Sequence, residues 1–133
     1  YWLLIHAMNR YRRKFAKQFE QQGLDVLLSP AFALPAMCHD DGIDLLPAGS
    51  HAMLQNLVGG PGGMVPWSTV LEGEETDRQA NRDGAIRRAI KTETDSVGLP
   101  VGVQVSSLPW QEHRVLAVMR ELQHDIRSRQ RSG

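Results

Sequence analysis

Over the first 22 residues, apolar side chains return at helical intervals: Leu4, Met8, Tyr11, Phe15 and Phe19. Arg10, Arg12, Arg13, Lys14 and Lys17 fall mostly between them. This alternation predicts an amphipathic helix over 1–22. Gly23 then stands where a left-handed residue would close its last turn. The period changes at once. "LDVLLSP", residues 24–30, is a short apolar run closed by proline, and its length and flanks favour a strand in the interior of a sheet covered on both faces.

Residues 30–47 keep no steady period and carry Pro30, Pro35 and Pro47, which predicts a long loop. Ser50 is placed to cap a helix holding His51, Ala52, Met53, Leu54 and Leu57. "GGPGG", 59–63, ends that helix and lets another chain segment or a ligand come close. "MVPWSTV", 64–70, reads as a second strand in which Pro66 marks a bulge or irregular pairing. The charged stretch 72–95 reads as loop and surface helix, with Ala85, Ile86, Ala89 and Ile90 as its apolar side.

A turn at 98–100 leads into a third buried strand, 101–105. Ser107 caps the last helix, with Pro109 in its first turn, where the missing N–H costs nothing. Trp110, Val115, Val118, Met119, Leu122 and Ile126 form one face of that helix, and the polar end is expected to fray. The organisation is therefore helix (1–22), strand–loop–helix–strand (24–70), a variable surface segment (71–95), strand and terminal helix (96–127) and tail (128–133). Helices alternate with strands, so the fold class is α/β.

The chain's 133 residues are one domain's worth of sequence, with ordinary globular proportions of 41% hydrophobic and 23% charged side chains. A formal charge of zero removes any overall field that would recruit nucleic acid or an anionic membrane. One cysteine, Cys38, excludes an internal disulfide and fits a reducing, intracellular compartment. No apolar run approaches the roughly 18 residues of a membrane span. "YWLLI" has no basic flank of a secretory signal, and its opening inside a helical pattern points to a fragment.

Candidate chemistry is sparse. "CHDD", 38–41, gathers a thiol, an imidazole and two carboxylates, but a zinc site usually needs a second ligand cluster downstream, and none follows. The five histidines are scattered, and no serine or cysteine has a neighbouring base identifiable in the sequence. "GGPGG" lacks the Lys and Ser/Thr of a phosphate-binding loop and follows a helix instead of a strand. The basic residues of the first helix and of "RSRQR" read as solvated faces, with a weak attraction of the latter for acidic lipid left open.

Three stretches carry a resemblance: "LDVLLSPAFALPA", "HAMLQNLVGGPGGMVPWSTV" and "SVGLPVGVQVSSLPWQEHRVLAVMRELQ". They resemble the C-terminal end of the amidase signature hydrolases, and within them the fatty acid amide hydrolases most. The resemblance runs from about residue 11 to 123 and is weakest over 71–95. "GLPVGVQ" is shared by amidases of many substrates, whereas "SVGLPV" leading to "LPWQE" is more specific to the fatty acid amide branch. The fold it implies is the closing part of a mixed sheet covered by helices.

The mechanism implied by the resemblance uses a serine nucleophile, a bridging serine and a lysine, and calls for no cofactor and no metal. Those residues lie upstream in the family, and neither a Gly/Ser-rich run nor a matching lysine occurs here, so this chain holds no catalytic member. Alone it is expected to be inactive. The helix matching Ser50 to Leu57 lines the acyl-chain pocket in the family. Met53 matches best, Gly49 falls on another acyl-facing position one turn earlier, and Leu54 adjoins them. Met53 and Leu54 serve equally well as ordinary core. The family's channel-guarding tryptophan falls near Arg82 here, and neither Trp67 nor Trp110 replaces it by position.

The partners implied are the rest of the amidase domain and a fatty acyl amide substrate, without nucleic acid. Peripheral membrane association through other parts of the protein, and homodimer formation, stay open. Two other readings remain: the ammonia-releasing subunit of a glutamine-dependent amidotransferase of the same family, and a non-catalytic α/β binding or scaffold module.

Overall fold

The computed structural model describes residues 1–39 and 41–132. Its elements are α1 (Trp2–Gln21), β1 (Leu27–Pro30), a 3-10 helix (Leu46–Gly49), α2 (Ser50–Val58), β2 (Gly62–Thr69), α3 (Gly84–Thr94), β3 (Pro100–Ser106) and α4 (Glu112–Ser132). The chain is α/β. Its strands form a sheet of order β1-β3-β2, and both pairings are antiparallel. β1 and β2 therefore run the same way on either side of β3.

Gly23 closes α1 as its position suggests. With φ of 65° it lets its own N–H reach the Glu20 carbonyl and that of Leu24 reach the Phe19 carbonyl. These two bonds form a Schellman cap. Gly59, at φ 76°, ends α2 in the same left-handed conformation. The remaining glycines of "GGPGG" let the passage from α2 into β2 lie close against its neighbours. A Cβ on Gly60 would run into the Ser107 carbonyl oxygen, and one on Gly63 into the Met119 side chain.

The register assigns the sheet's two faces. Leu28, Val105 and Gly63 are level, as are Pro30, Val103 and Val65, and alternate residues point to one side. Gly63 meets Met119 and Val115, so this is the side under α4, where Val65 and Val105 are completely buried. The opposite face carries Ser29, Gln104 and Met64. There Gly62 meets Gln55 of α2, and the Gln104 amide donates to the His51 carbonyl at 3.5 Å. Pro66 sits where the β2 register slips before Ser68, which makes Trp67 the extra residue of a bulge.

Several expectations are corrected. The first strand starts at Leu27 and not Leu24, because Asp25 is drawn away: its carbonyl accepts from Ser107 Oγ at 2.7 Å and its carboxylate pairs with Arg114. Nor is it interior here: β1 is an edge, and Leu28 is 51% exposed. Ser50 opens α2 without capping it, since the preceding 3-10 helix runs directly into it and Gly49 holds the cap position. Ser107 does not cap α4 either, its hydroxyl being committed to Asp25, and the helix begins only at Glu112.

Trp110 precedes the helix in a turn, left-handed at φ 67° and 86% exposed, and so leaves the apolar face assigned to it. The expected tail, 128–133, is instead helical through Ser132. Arg129 pairs with Asp125 one turn back at 2.7 Å and lies over the Trp67 ring at 5.2 Å. Arg12, expected on a solvated face, donates from Nε to the Leu57 carbonyl at 2.6 Å and so ties α1 to the last turn of α2. In α3, Ala85 is exposed while Thr92 and Glu93 are buried, so the helix turns a more polar side inward than its periodicity suggests.

Candidate functional site

The 31–48 connection is folded back on itself. Ala33 N–H donates to the Ala48 carbonyl at 2.9 Å, and Leu34 and Leu45 pack with Ala89 of α3 into a small core that Phe32 and Ala48 flank. The edge of the Phe32 ring lies over Gly49: a Cβ there would sit 3.2 Å from Cε2. On its other side the connection borders the sheet. Phe32, Leu34, Pro35 and Met37 face Met64 and Pro66 across an apolar groove of about 370 Å³. Gly102 permits this arrangement, because a Cβ on it would fall 2.8 Å from the Met64 sulfur.

Charge fastens this wall to α3. Asp41, only 5% exposed, accepts from Arg88 Nη1 at 2.7 Å and has Lys91 Nζ at 3.8 Å. The other Arg88 nitrogen reaches Asp44 at 3.1 Å. One guanidinium thus bridges two carboxylates of the loop, although its own exposure keeps the energetic contribution modest. In "CHDD", then, Asp41 answers to cations, Cys38 and His39 are exposed, and Asp40 lies outside the described residues. Among the described residues, no three side chains gather as metal ligands.

The buried serines are equally occupied. Ser96 Oγ donates to the Glu93 carbonyl at 2.6 Å, Ser106 Oγ to Leu27 at 3.3 Å and Ser107 Oγ to Asp25 at 2.7 Å. Each hydroxyl proton is spent on the main chain, so these groups hold strands and turns together. A serine nucleophile needs its proton directed to a base. Lys14 and Lys17 lie exposed on α1, and Lys91 belongs to the Asp41 cluster.

The three residues singled out for an acyl wall are near one another along α2. Gly49 lies under the Phe32 ring, Met53 is 41% exposed one turn later, and Leu54 is half-buried. The buried positions of α2 are Gln55 and Val58, neither of which the apolar pattern singled out. Gln55 escapes such a reading because it is polar. Sequence also missed Phe32, Met37 and Met64, which sit in segments with no helical period. Only the crossing of the 31–48 connection over the sheet brings them together.

A family model described as Amidase matches residues 1–116. The chain belongs to the amidase family. Fatty-acid amide hydrolase 1 of Sus scrofa is 34% identical over 129 residues, covering 92% of this chain and 22% of its own length. Fatty acid amide hydrolase 1 of Caenorhabditis elegans is 33% identical over 116 residues, covering 85% of this chain and 20% of its own length. The chain thus spans about a fifth of the length of these amidases. Among the described residues, no helix is long and apolar enough to cross a membrane.

Proposed function

We propose that this chain is the C-terminal part of a serine amidase that hydrolyses fatty acyl amides, its Ser-Ser-Lys triad lying upstream of these residues. The observation that carries the reading is the match to two fatty-acid amide hydrolases over most of the chain. In the proposed reaction the lysine takes a proton from the bridging serine, which takes one from the nucleophile. The nucleophile's oxygen bonds to the amide carbon and the amine leaves with a proton. Water then releases the fatty acid. The tetrahedral intermediates would be held by backbone N–H donors outside this chain.

What this chain contributes is sheet and wall. The commitment of its buried serines to carbonyls supports a non-catalytic role. The apolar groove beside Phe32, with Gly49 and Met53 on the adjoining helix, supports contact with an apolar tail. A thioether at Met53 suits tails of variable shape. Leu54, half-buried and next to Met53 in the chain, is the third residue of the proposed wall.

The test is a chimaera in which these residues replace the matching segment of the pig relative. It should hydrolyse a long-chain fatty acyl amide, and a fluorophosphonate should label no serine of the grafted part. A folded but inactive chimaera, or labelling within these 133 residues, would overturn the reading.

A further inference from the structure

α3 is moored to the sheet at its C-terminal end. It makes little contact with the strands or the other helices themselves. Just beyond it, Ser96 Oγ donates to the Glu93 carbonyl at 2.6 Å. Gly98 N–H then donates to the Val70 carbonyl at 2.9 Å, and Val70 N–H to the Leu99 carbonyl at 3.0 Å. These bonds fix that end of α3 where β2 stops and β3 starts. Further up, the helix holds the 31–48 connection: Ala89 packs with Leu34 and Leu45, and Arg88 takes the carboxylate of Asp41. Leu45 N–H donates to the Asp41 carbonyl at 3.1 Å, which makes 41–45 one turn. Leu34 is shared between the crevice against α3 and the apolar groove that Met64 and Pro66 line from the sheet. The distance across the groove is therefore set through α3.

The charged hold on the connection is narrow. Asp41 Oδ1 accepts from Arg88 Nη1 at 2.7 Å, while Oδ2 is buried without a hydrogen bond and has Lys91 Nζ at 3.8 Å. A buried carboxylate that loses its cation is costly, whereas replacing both members of such a pair is often nearly neutral. Without Arg88, Asp41 regains water by turning outward, which draws Leu45 with it and loosens Leu34 at the groove.

From this geometry we infer that Arg88 is a positioning residue: by holding Asp41 it sets the width of the apolar groove and, with it, the preference for long acyl tails. This rests on the reading of the groove as a wall for an acyl tail. Arg88 lies outside the groove's lining and acts only through the connection.

The test uses the same chimaera, and its dissociation constants for hexadecanoate and octanoate report the groove without a catalytic step. Arg88→Gln should weaken hexadecanoate about tenfold, as loss of apolar contact with about two methylenes does, and leave octanoate within about twofold. Adding Asp41→Asn removes the stranded charge and should bring hexadecanoate back to within about threefold. With amide substrates the loss should fall on KM of the long chain and spare kcat, as when binding common to ground and transition states is removed. Equal losses on both acids, a double variant no better than Arg88→Gln, or a chimaera that binds no hexadecanoate would each overturn the inference.

Cysteine labelling in a Cys38→Ser background supplies a measurement independent of any ligand. Leu45→Cys, at a position 4% exposed, should react about tenfold faster once Arg88→Gln is added, while Val105→Cys stays protected. Unchanged labelling of Leu45→Cys overturns the inference. Val105→Cys becoming reactive as well also overturns it, by making Arg88 a residue of the whole fold. The two readings fail separately. A chimaera that shows the hexadecanoate and labelling pattern but hydrolyses no amide removes the proposed activity and leaves the role of Arg88 in place. An active chimaera whose chain-length preference ignores Arg88→Gln does the reverse.

Discussion

Met53→Trp separates an acyl wall from ordinary packing. Met53 is 41% exposed within this chain, one turn beyond the glycine that lies under Phe32. The indole therefore enlarges a position the chain itself does not enclose, and fold stability should change by no more than about 0.5 kcal/mol. A substrate tail running along that wall meets a different situation. Each methylene kept out of an apolar site forfeits about 0.8 kcal/mol, so displacing about four costs about 3 kcal/mol. That lowers kcat/KM by about a hundredfold. Short amides, whose tails end before the obstruction, should keep their rate. The assay is the ratio of kcat/KM for long-chain to short-chain amides in the chimaera, with Tm recorded alongside. An unchanged ratio would refute the wall. A fall in Tm with equal losses on both substrates would make Met53 a packing residue.

Two further outcomes test the fold that carries the site. Gly60→Ala sets a Cβ against the Ser107 carbonyl, which cannot swing aside because Ser107 N–H is bonded to Pro61 and its hydroxyl to Asp25. Overpacking together with two strained hydrogen bonds predicts a loss of about 3 kcal/mol in urea denaturation, and a loss below about 1 kcal/mol would contradict the contact. Trp110→Gly relieves a left-handed backbone while removing an exposed ring, so stability should rise by about 0.5–1 kcal/mol. A fall in Tm instead would mean that the indole is docked on something.

Where a local rule acts alone, the sequence can be read directly. Gly23 and Gly59 both end helices in the left-handed region, and Pro66 sits at the register slip. Each of these outcomes depends on the backbone freedom of one residue. Burial of polar groups follows no such rule. Glu93 lies buried because Thr76 donates to it at 2.6 Å and Arg78 at 2.8 Å, partners 17 and 15 residues away. Asp41 is held by Arg88 from 47 residues away. Hydropathy reads apolarity, and these side chains enter the interior on the strength of distant partners, so the periodicity of α3 found the inward Ile86, Ala89 and Ile90 but missed the buried Thr92 and Glu93 beside them. The helical end of α4 escaped for the same reason: Arg129 is polar in sequence but lies over Trp67 of the β2 bulge.

The same distinction bears on the candidate site. The tight places of this chain, Gly60 against Ser107 and Gly63 against Met119, are closed by its own residues, which is where local steric rules are decisive. The groove beside Phe32 and a cleft beside α4 stay open on their remaining sides among the described residues. A glycine leaves a trace in sequence because its alternative would clash, whereas a half-built wall leaves only apolar residues that resemble any core. Gly102 and Gly49 carry such a trace, for Met64 and Phe32 occupy the space their side chains would need. A bulkier residue at Gly49 would push Phe32 toward the groove, and thereby couple the geometry of α2 to the width of the apolar wall.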